Sequence, residues 1–537
     1  MLTGAQALVR ALRAEGVSVV FGIPGTHNLP LYDALHDEPA MRVVTTRHEQ
    51  GAAFMADGYA RATGEIGVCL TVTGPGVTNT LTALGQAYSD SSPVLLIATQ
   101  VPTDQLEREY EGFHELRRSL DVVGAVTGFA WRAPSATAIP FGLHAAFQHL
   151  RSRRPRPAFI EIPLDLLTRP AGDVAGHPLP VAETPPDPEA IAAAAALLGE
   201  SRQPLLYLGG GVIRAGAGQA ALRLAEHRQA PVVCSPQGKG AVPEDHPLVL
   251  GSGWGAHHPA RALLAQADLV LAVGTRFGPL PTDHWRLPLP ANLIHIDIDP
   301  TVIGRHYPTR LGIVADARLA LQALNAALAD QPARSAPWCD LAAQRAARRQ
   351  VLMERAGEIL AFFERLRAVL PPETVLCNDL TAVCYWAHAA FPVTQPRTFH
   401  YPTGFGTLGF ALPAAIGAKI ARPERPVVAL AGDGGFLYTG QELATAVAWQ
   451  VDVVAVVFND HAYGAVKQDQ VYHYGGRTIG CDLVSPDFVR LAQAFGARGL
   501  RVASLAEVPE AVAEALTLPG PTVIEAPSPA ILPPWIF

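Results

Sequence analysis

The residues of this chain with the clearest capacity for chemistry are two aspartates set among glycine and asparagine: Gly432-Asp433-Gly434-Gly435, and Asn459-Asp460. Glycine on both sides of Asp433 lets the backbone come close to a phosphate, and a helix starting at this turn points its N-terminus at the anion. A carboxylate there would repel a diphosphate, so a cation has to sit between them. Mg2+ takes about six oxygens, commonly from one or two carboxylates, phosphate and water. Asp460 follows the next apolar run, Val453–Phe458, and adjacent parallel strands end on one rim, so both aspartates can face one ion. Either aspartate alone reads as a turn or helix cap. The pair with its glycines favours the metal.

Elements of a particular kind must carry these turns. Short apolar runs ended by glycine alternate with Ala/Leu-rich helical stretches, which predicts an α/β protein of three doubly wound parallel-sheet domains. In the first block, strand Val68–Val72 leads into Thr73-Gly74-Pro75-Gly76, a helix near Asn79–Tyr88 and strand Val94–Ala98. In the third, strand Val427–Ala431 leads into the Asp433 turn, a helix near Gln441–Gln450 and strand Val453–Phe458. The middle block has strands Leu205–Leu208, Leu269–Val273 and Leu293–Ile298, and a Gly209-Gly210-Gly211 loop that is weak evidence for a dinucleotide. Pro-rich Thr168–Pro188 and the weaker Gln331–Trp338 break the rhythm. The expected domains are therefore 1–167, 189–330 and 353–537, joined by linkers 168–188 and 331–352.

The 537 residues are 49% hydrophobic and 17% charged, with a formal net charge of −7 and no Lys/Arg block, which argues against nucleic acid or a membrane surface as partner. Met1–Val17 reads as an amphipathic helix interrupted by Arg10, Arg13 and Glu15, without the plan of a signal peptide, and no apolar run is long enough to span a bilayer. Six scattered cysteines without CxxC spacing suit buried thiols in a reducing cytoplasm.

Gly432-Asp433-Gly434 through Asn459-Asp460 resembles the motif of thiamine-diphosphate-dependent enzymes, in the branch of acetolactate synthases and 2-oxo acid decarboxylases. The resemblance covers nearly the whole chain, including Phe159–Pro163 and Ile294–Pro300. It implies a pyrimidine-binding, a central and a diphosphate-binding domain. It also implies Mg2+ held by Asp433, Asp460 and the carbonyl of Ala462. One departure is that the usual second asparagine is Asp460 here, still a hard oxygen ligand but with an added charge.

Arg47-His48-Glu49-Gln50-Gly51-Ala52-Ala53 resembles the segment carrying the glutamate that bonds the cofactor's pyrimidine ring, which implies that Glu49 is the catalytic residue. Taken alone, Glu49 reads as a first-turn glutamate answering a helix dipole. Gly404-Phe405-Gly406-Thr407-Leu408 resembles the loop that folds the cofactor into a V, with Leu408 as the apolar wedge; core packing is the plain alternative. The same likeness implies cofactor contacts from Gly25, Thr26, Asn79, Gly404, Thr407, Leu408, Gly432, Gly434, Gly435 and Tyr463. Glu49 and Asp433 lie in different domains, and in this family they meet across two chains, which implies a homodimer or homotetramer. Tyr463, Lys467, Gln468, Tyr472 and Pro533-Pro534-Trp535 are candidate lid residues.

The family chemistry removes carbon dioxide from a 2-oxo acid through an enamine intermediate, which is then protonated to an aldehyde or attacks a second carbonyl. Phe113-His114-Glu115-Leu116 resembles the Phe-Gln-Glu loop of acetolactate synthases, which implies a place near the reacting carbon; His114 is a candidate proton donor or carboxylate grip, with a structural histidine as the alternative. Val72 stands where benzoylformate decarboxylase has a histidine, which argues against that enzyme. The pattern is closest to 5-guanidino-2-oxopentanoate decarboxylases, whose guanidinium would need a carboxylate such as Glu115 or Asp469. Decarboxylation is the favoured reading. Acetolactate-type carboligation comes next, and an FAD-containing oxidase or a non-catalytic relic is less favoured.

Overall fold

The structure, a computed structural model, describes residues 1–172, 177–178, 180–253 and 260–534. Three six-stranded parallel sheets account for its layers. In the first, the spatial order is Arg42–Thr45, Val19–Gly22, Gly67–Thr71, Val94–Gln100, Ala158–Pro163, Phe129–Arg132. In the third it is Phe399–His400, Val375–Asn378, Val427–Gly432, Val454–Asn459, Thr522–Pro527, Arg498–Arg501. Numbered along the chain within each sheet, both read 2-1-3-4-6-5. The middle sheet, with Val249–Ser252, Val232–Cys234, Pro204–Leu208, Leu269–Val273, Leu293–Asp297 and Leu311–Val314, reads 3-2-1-4-5-6. That last order is the one found in doubly wound dinucleotide folds.

The central strands are apolar on both sides because helices cover both faces of each sheet. They show no alternation of buried and exposed positions: Val94 to Gln100 and Val454 to Phe458 are buried throughout. The middle sheet has its own core. The first and third sheets share one, running from Phe21, Phe54 and Leu96 to Phe410, Ile416 and Val457. Its seam is the helix Glu49–Thr63 laid against the helix Ala411–Ala421. The backbones approach so closely that a Cβ on Gly58 would lie 2.1 Å from the Ala414 carbonyl oxygen, and one on Gly417 would lie 2.0 Å from that of Met55.

Three expectations need correction. The amino-terminal helix spans only Gly4–Ala14, because Thr3 and Gln6 close a reciprocal capping box and Leu2–Thr3 is strand. The first linker contains a strand, Pro170–Gly172, paired antiparallel with Leu2–Thr3. The stretch expected as linker over 331–352 is helical from Leu341, in a helix Leu341–Val369 capped by Asp340 and broken at Ala356. Its first turns are rich in Ala, Gln and Arg, good helix formers. Arg345 and Arg348 there donate to carbonyls of Val249 and Ser252 at the edge of the middle sheet. Among the described residues no helix is long and apolar enough to cross a membrane. All six cysteines are free, and Cys339 alone is only half-buried.

Candidate active site

The carboxyl end of the first sheet holds one half of the site. Strand Gly67–Thr71 turns at Gly74, φ +62°, into the helix Pro75–Asp90. Glu49 opens the helix Glu49–Thr63, with His48 as cap and the His48 ring accepting the Gln50 N–H at 3.1 Å. Asn79, in the second turn of Pro75–Asp90, donates its amide to Glu49 Oε2 at 2.9 Å. Gly76 keeps the space beside the carboxylate open, since a Cβ there would lie 3.7 Å from Glu49 Oε1 and 2.9 Å from Val72. Gly25 packs on Val72, and Thr26 is exposed beside it.

His114 comes to the same rim. Its loop closes on the glycine turn, where a Cβ on Gly74 would lie 2.6 Å from the His114 carbonyl oxygen. The ring stacks on Phe113 at 3.9 Å between centroids and meets His27 edge-on at 5.3 Å. His114 adopts a left-handed φ of +64°, which a non-glycine residue holds only under constraint. Nδ1 of both His27 and His114 is buried with no hydrogen-bond partner among the described residues. Burial and the His114 charge hold His27 below the ordinary histidine range. His27 follows Pro24-Gly25-Thr26 directly, and that adjacency was the only sign of it in the sequence.

The other half lies at the carboxyl end of the third sheet. Gly432 pairs with Phe458 in register, so Asp433 and Asp460 leave neighbouring strands at one level. Asp433 is buried and accepts a hydrogen bond from Ser485 Oγ at 2.5 Å. Burial first, and the Asp433 charge second, push Asp460 up to about 6. Two facing carboxylates of like charge are a donor set that a divalent cation relieves, and the adjoining glycines leave room for an anion. Gly434 is required by Tyr463, whose ring would lie 2.6 Å from a Cβ; Gly464 is required by Asp460 Oδ2, at 2.0 Å. Ala462 is buried and bridged to Asp482. The residues present fit a metal-anchored diphosphate.

Leu408 stands over this turn, its Cδ2 3.7 Å from where a Gly435 Cβ would be. Asp379, at the end of strand Val375–Asn378, fixes the loop by accepting the Gly409 N–H at 2.8 Å, and burial raises its carboxyl to about 6. The rest of the loop is gripped from the first domain. Gln86 Oε1 accepts the Thr407 N–H and hydroxyl at 3.2 and 3.1 Å, and Asp90 accepts the Gly404 N–H at 2.8 Å. Asp90 is itself held by Gln86 and by Arg61, which also pairs with Asp57. The helix Pro75–Asp90 therefore steadies Glu49 near its start and the Leu408 loop at its end. Gln86, Asp90, Asp379 and Ser485 escaped the sequence reading because their partners are backbone groups or side chains far along the chain.

Glu49 belongs to the edge of the first sheet and the two aspartates to the edge of the third. Among the described residues no hydrogen bond or ion pair links Glu49 to Asp433 or Asp460. Of the lid candidates, Lys467 pairs with Asp482 and Tyr472 is exposed, while Trp535 lies outside the described residues. Gly210 and Gly211 line a separate cavity of about 450 Å³ with Arg154, Arg276 and Arg397. The glycine run there has a packing reason before any ligand one: a Cβ on Gly209 would lie 2.1 Å from the Gly274 carbonyl oxygen.

Known proteins share this plan. The family models for the N-terminal TPP binding domain, the central domain and the C-terminal TPP binding domain of thiamine pyrophosphate enzymes match residues 2–121, 191–324 and 379–526. A Pseudomonas aeruginosa protein named "Probable 2-ketoarginine decarboxylase" is 41% identical, covering 98% of this chain and 94% of its own. A "Probable acetolactate synthase large subunit" of Methanocaldococcus jannaschii is 37% identical over 98% of this chain and 91% of its own. The acetolactate synthase isozyme 3 large subunit of Escherichia coli is 36% identical over 96% and 92%.

Proposed function

The chain belongs to the thiamine pyrophosphate (thiamine diphosphate) enzymes, and on that premise we propose that it decarboxylates 5-guanidino-2-oxopentanoate, the compound also called 2-ketoarginine. The reading is carried by the Asp433–Asp460 pair at the end of two adjacent strands, in a chain that also presents an asparagine-held Glu49. The choice of substrate is supported by the relative named for that acid.

When bound, thiamine diphosphate supplies the carbanion that attacks the 2-oxo carbon and the sink for the electrons left as carbon dioxide departs. Asp433, Asp460 and the Ala462 carbonyl would hold Mg2+, and Gly432, Gly434 and Gly435 admit the diphosphate. Leu408 would give the bound cofactor an apolar surface to rest on. Glu49 holds a proton at the pyrimidine N1′, a task for a carboxyl in a cleft and free of a competing cation. His114, with His27 against it, delivers a proton to the carbon that lost carbon dioxide. Glu115, on the same loop, is the carboxylate assigned to the guanidinium; Asp469 instead faces His473 on an exposed helix.

A complete site needs two chains, as a homodimer or homotetramer. The family resemblance, in which the two groups come from different chains, supports this, as do large exposed apolar side chains: Tyr110 and Phe113 in the first domain, and Tyr438, Tyr472 and Ile479 in the third. The six free cysteines suit a cytoplasmic setting.

The test is to incubate the protein with thiamine diphosphate, Mg2+ and a panel of 2-oxo acids, following carbon dioxide, aldehyde and acetolactate. Carbon dioxide and 4-guanidinobutanal in equal amounts are expected. Acetolactate from pyruvate would favour the second reading, carboligation, which the acetolactate synthase relatives support. A yellow protein would favour the FAD alternative. No turnover of any 2-oxo acid would overturn the proposal.

A further inference from the structure

An acid from the far end of the chain stands behind Glu49. Glu442 closes the single turn Gly440–Glu442 of the third domain and is fully buried. Its carboxylate accepts the His48 N–H at 2.9 Å, the Arg47 N–H at 3.2 Å and the Thr445 hydroxyl at 2.7 Å. His48 caps the helix that Glu49 begins, and its ring has already taken the Gln50 N–H. The free N–H groups that lead into this helix are thus shared between the His48 ring and Glu442. The approach is so tight that Gly51 is needed: a Cβ there would lie 2.3 Å from Glu442 Oε1.

A buried carboxylate satisfied by backbone N–H groups is ordinary helix capping when it lies next to its helix in sequence. This one lies far off, with a sequence separation of 394 to His48. The peptide groups it grips, those of the Arg47 and His48 N–H, lie one peptide unit ahead of Glu49, so a shift of them is carried through the helix start to the Glu49 side chain. Reacting groups displaced by about 1 Å can lose about 100-fold in rate. We propose that Glu442 is a positioning residue: it fixes the backbone on which Glu49 is carried, so that the carboxy-terminal domain sets the aim of the amino-terminal acid. The inference rests on the reading of Glu49 as the acid that serves the pyrimidine ring.

The test uses the full-length protein loaded with thiamine diphosphate and Mg2+. It compares the parent with Glu442→Gln, Glu442→Ala, Gly51→Ala and Glu49→Gln. Three quantities are read: the cofactor dissociation constant from fluorescence quenching, the thermal midpoint, and the rate at which the cofactor's C2 proton exchanges for deuterium. Glu442→Gln keeps one acceptor and is expected to slow exchange about tenfold, and Glu442→Ala about 100-fold, with cofactor affinity within about threefold of the parent. A purely structural role would move affinity and midpoint along with exchange. Exchange within about twofold of the parent in both Glu442 variants overturns the inference. If Glu442→Ala does not fold, Gly51→Ala decides, because it keeps the acid but displaces it: slowed exchange is expected, and parental exchange overturns. Parental exchange in Glu49→Gln would instead remove the reading of Glu49 itself.

Discussion

The Asn79 amide reaches the Glu49 carboxylate at 2.9 Å, and the two residues come from the second turn of one helix and the first turn of another on one sheet edge. Only one carboxylate oxygen is engaged in this way, which leaves the other toward the cleft beside Gly76. Glu49→Gln is expected to lower turnover by roughly 10²- to 10⁴-fold, the usual worth of a proton-handling group, with cofactor affinity retained. Asn79→Ala keeps the acid but frees it, and kcat should fall about tenfold, equivalent to one lost hydrogen bond. Steady-state kinetics with separate cofactor titration checks both.

If Glu49 of one copy serves the metal site of another, two inactive chains can complement each other. Glu49→Gln and Asp433→Ala chains, each inactive alone, should regain roughly a quarter of parental activity when refolded together. Random pairing makes about half the dimers mixed, and each mixed dimer has one intact site of two. Activity that stays at zero in proven mixed dimers would place both groups in one chain.

Asp460 stands where the family motif carries asparagine, and its raised carboxyl reflects burial and Asp433 nearby. Asp460→Asn keeps an oxygen ligand while removing a charge, so Mg2+ affinity should weaken roughly tenfold with activity recovered at higher metal. Asp460→Ala removes the ligand, and excess metal should not restore it. Metal titration at saturating cofactor distinguishes the two.

Burial raises Asp379 from 3.8 to about 6 in the folded protein. A carboxyl raised above its unfolded value makes the folded state bind the extra proton between those two pH values. Stability therefore falls as pH climbs from about 4 to about 6, by up to about 3 kcal/mol, and is level above. Urea denaturation at pH 4.5 and pH 7 should show this component in the parent and lose it in Asp379→Asn.

How much of this was legible beforehand follows from the range of each interaction. The glycine turns at Gly74 and Asp433 are local, since a strand, a tight turn and a helix follow one another in sequence, and their place at the sheet edges could be read directly. The two outer domains were recognisably alike, but their common strand order was not, because order depends on which edge each crossover returns to. Gln86 and Asp379 were invisible for a different reason, and Glu442, although its segment Gln441–Ala444 resembles the family, gave no sign of its role. The purpose of each appears only when a backbone N–H from a distant segment arrives beside it. The helix starting at Leu341 was missed because Pro332 and Pro337 just ahead of it read as continuing linker.

The helix Pro75–Asp90 braces Glu49 through Asn79 and the Leu408 loop through Gln86 and Asp90. With shared sites, these ends would answer to different reaction centres, the bracing residues being about 10–16 Å apart along one rigid rod. One stiff helix would then tie the geometry of two neighbouring centres together, so that a substitution in its middle is expected to disturb both.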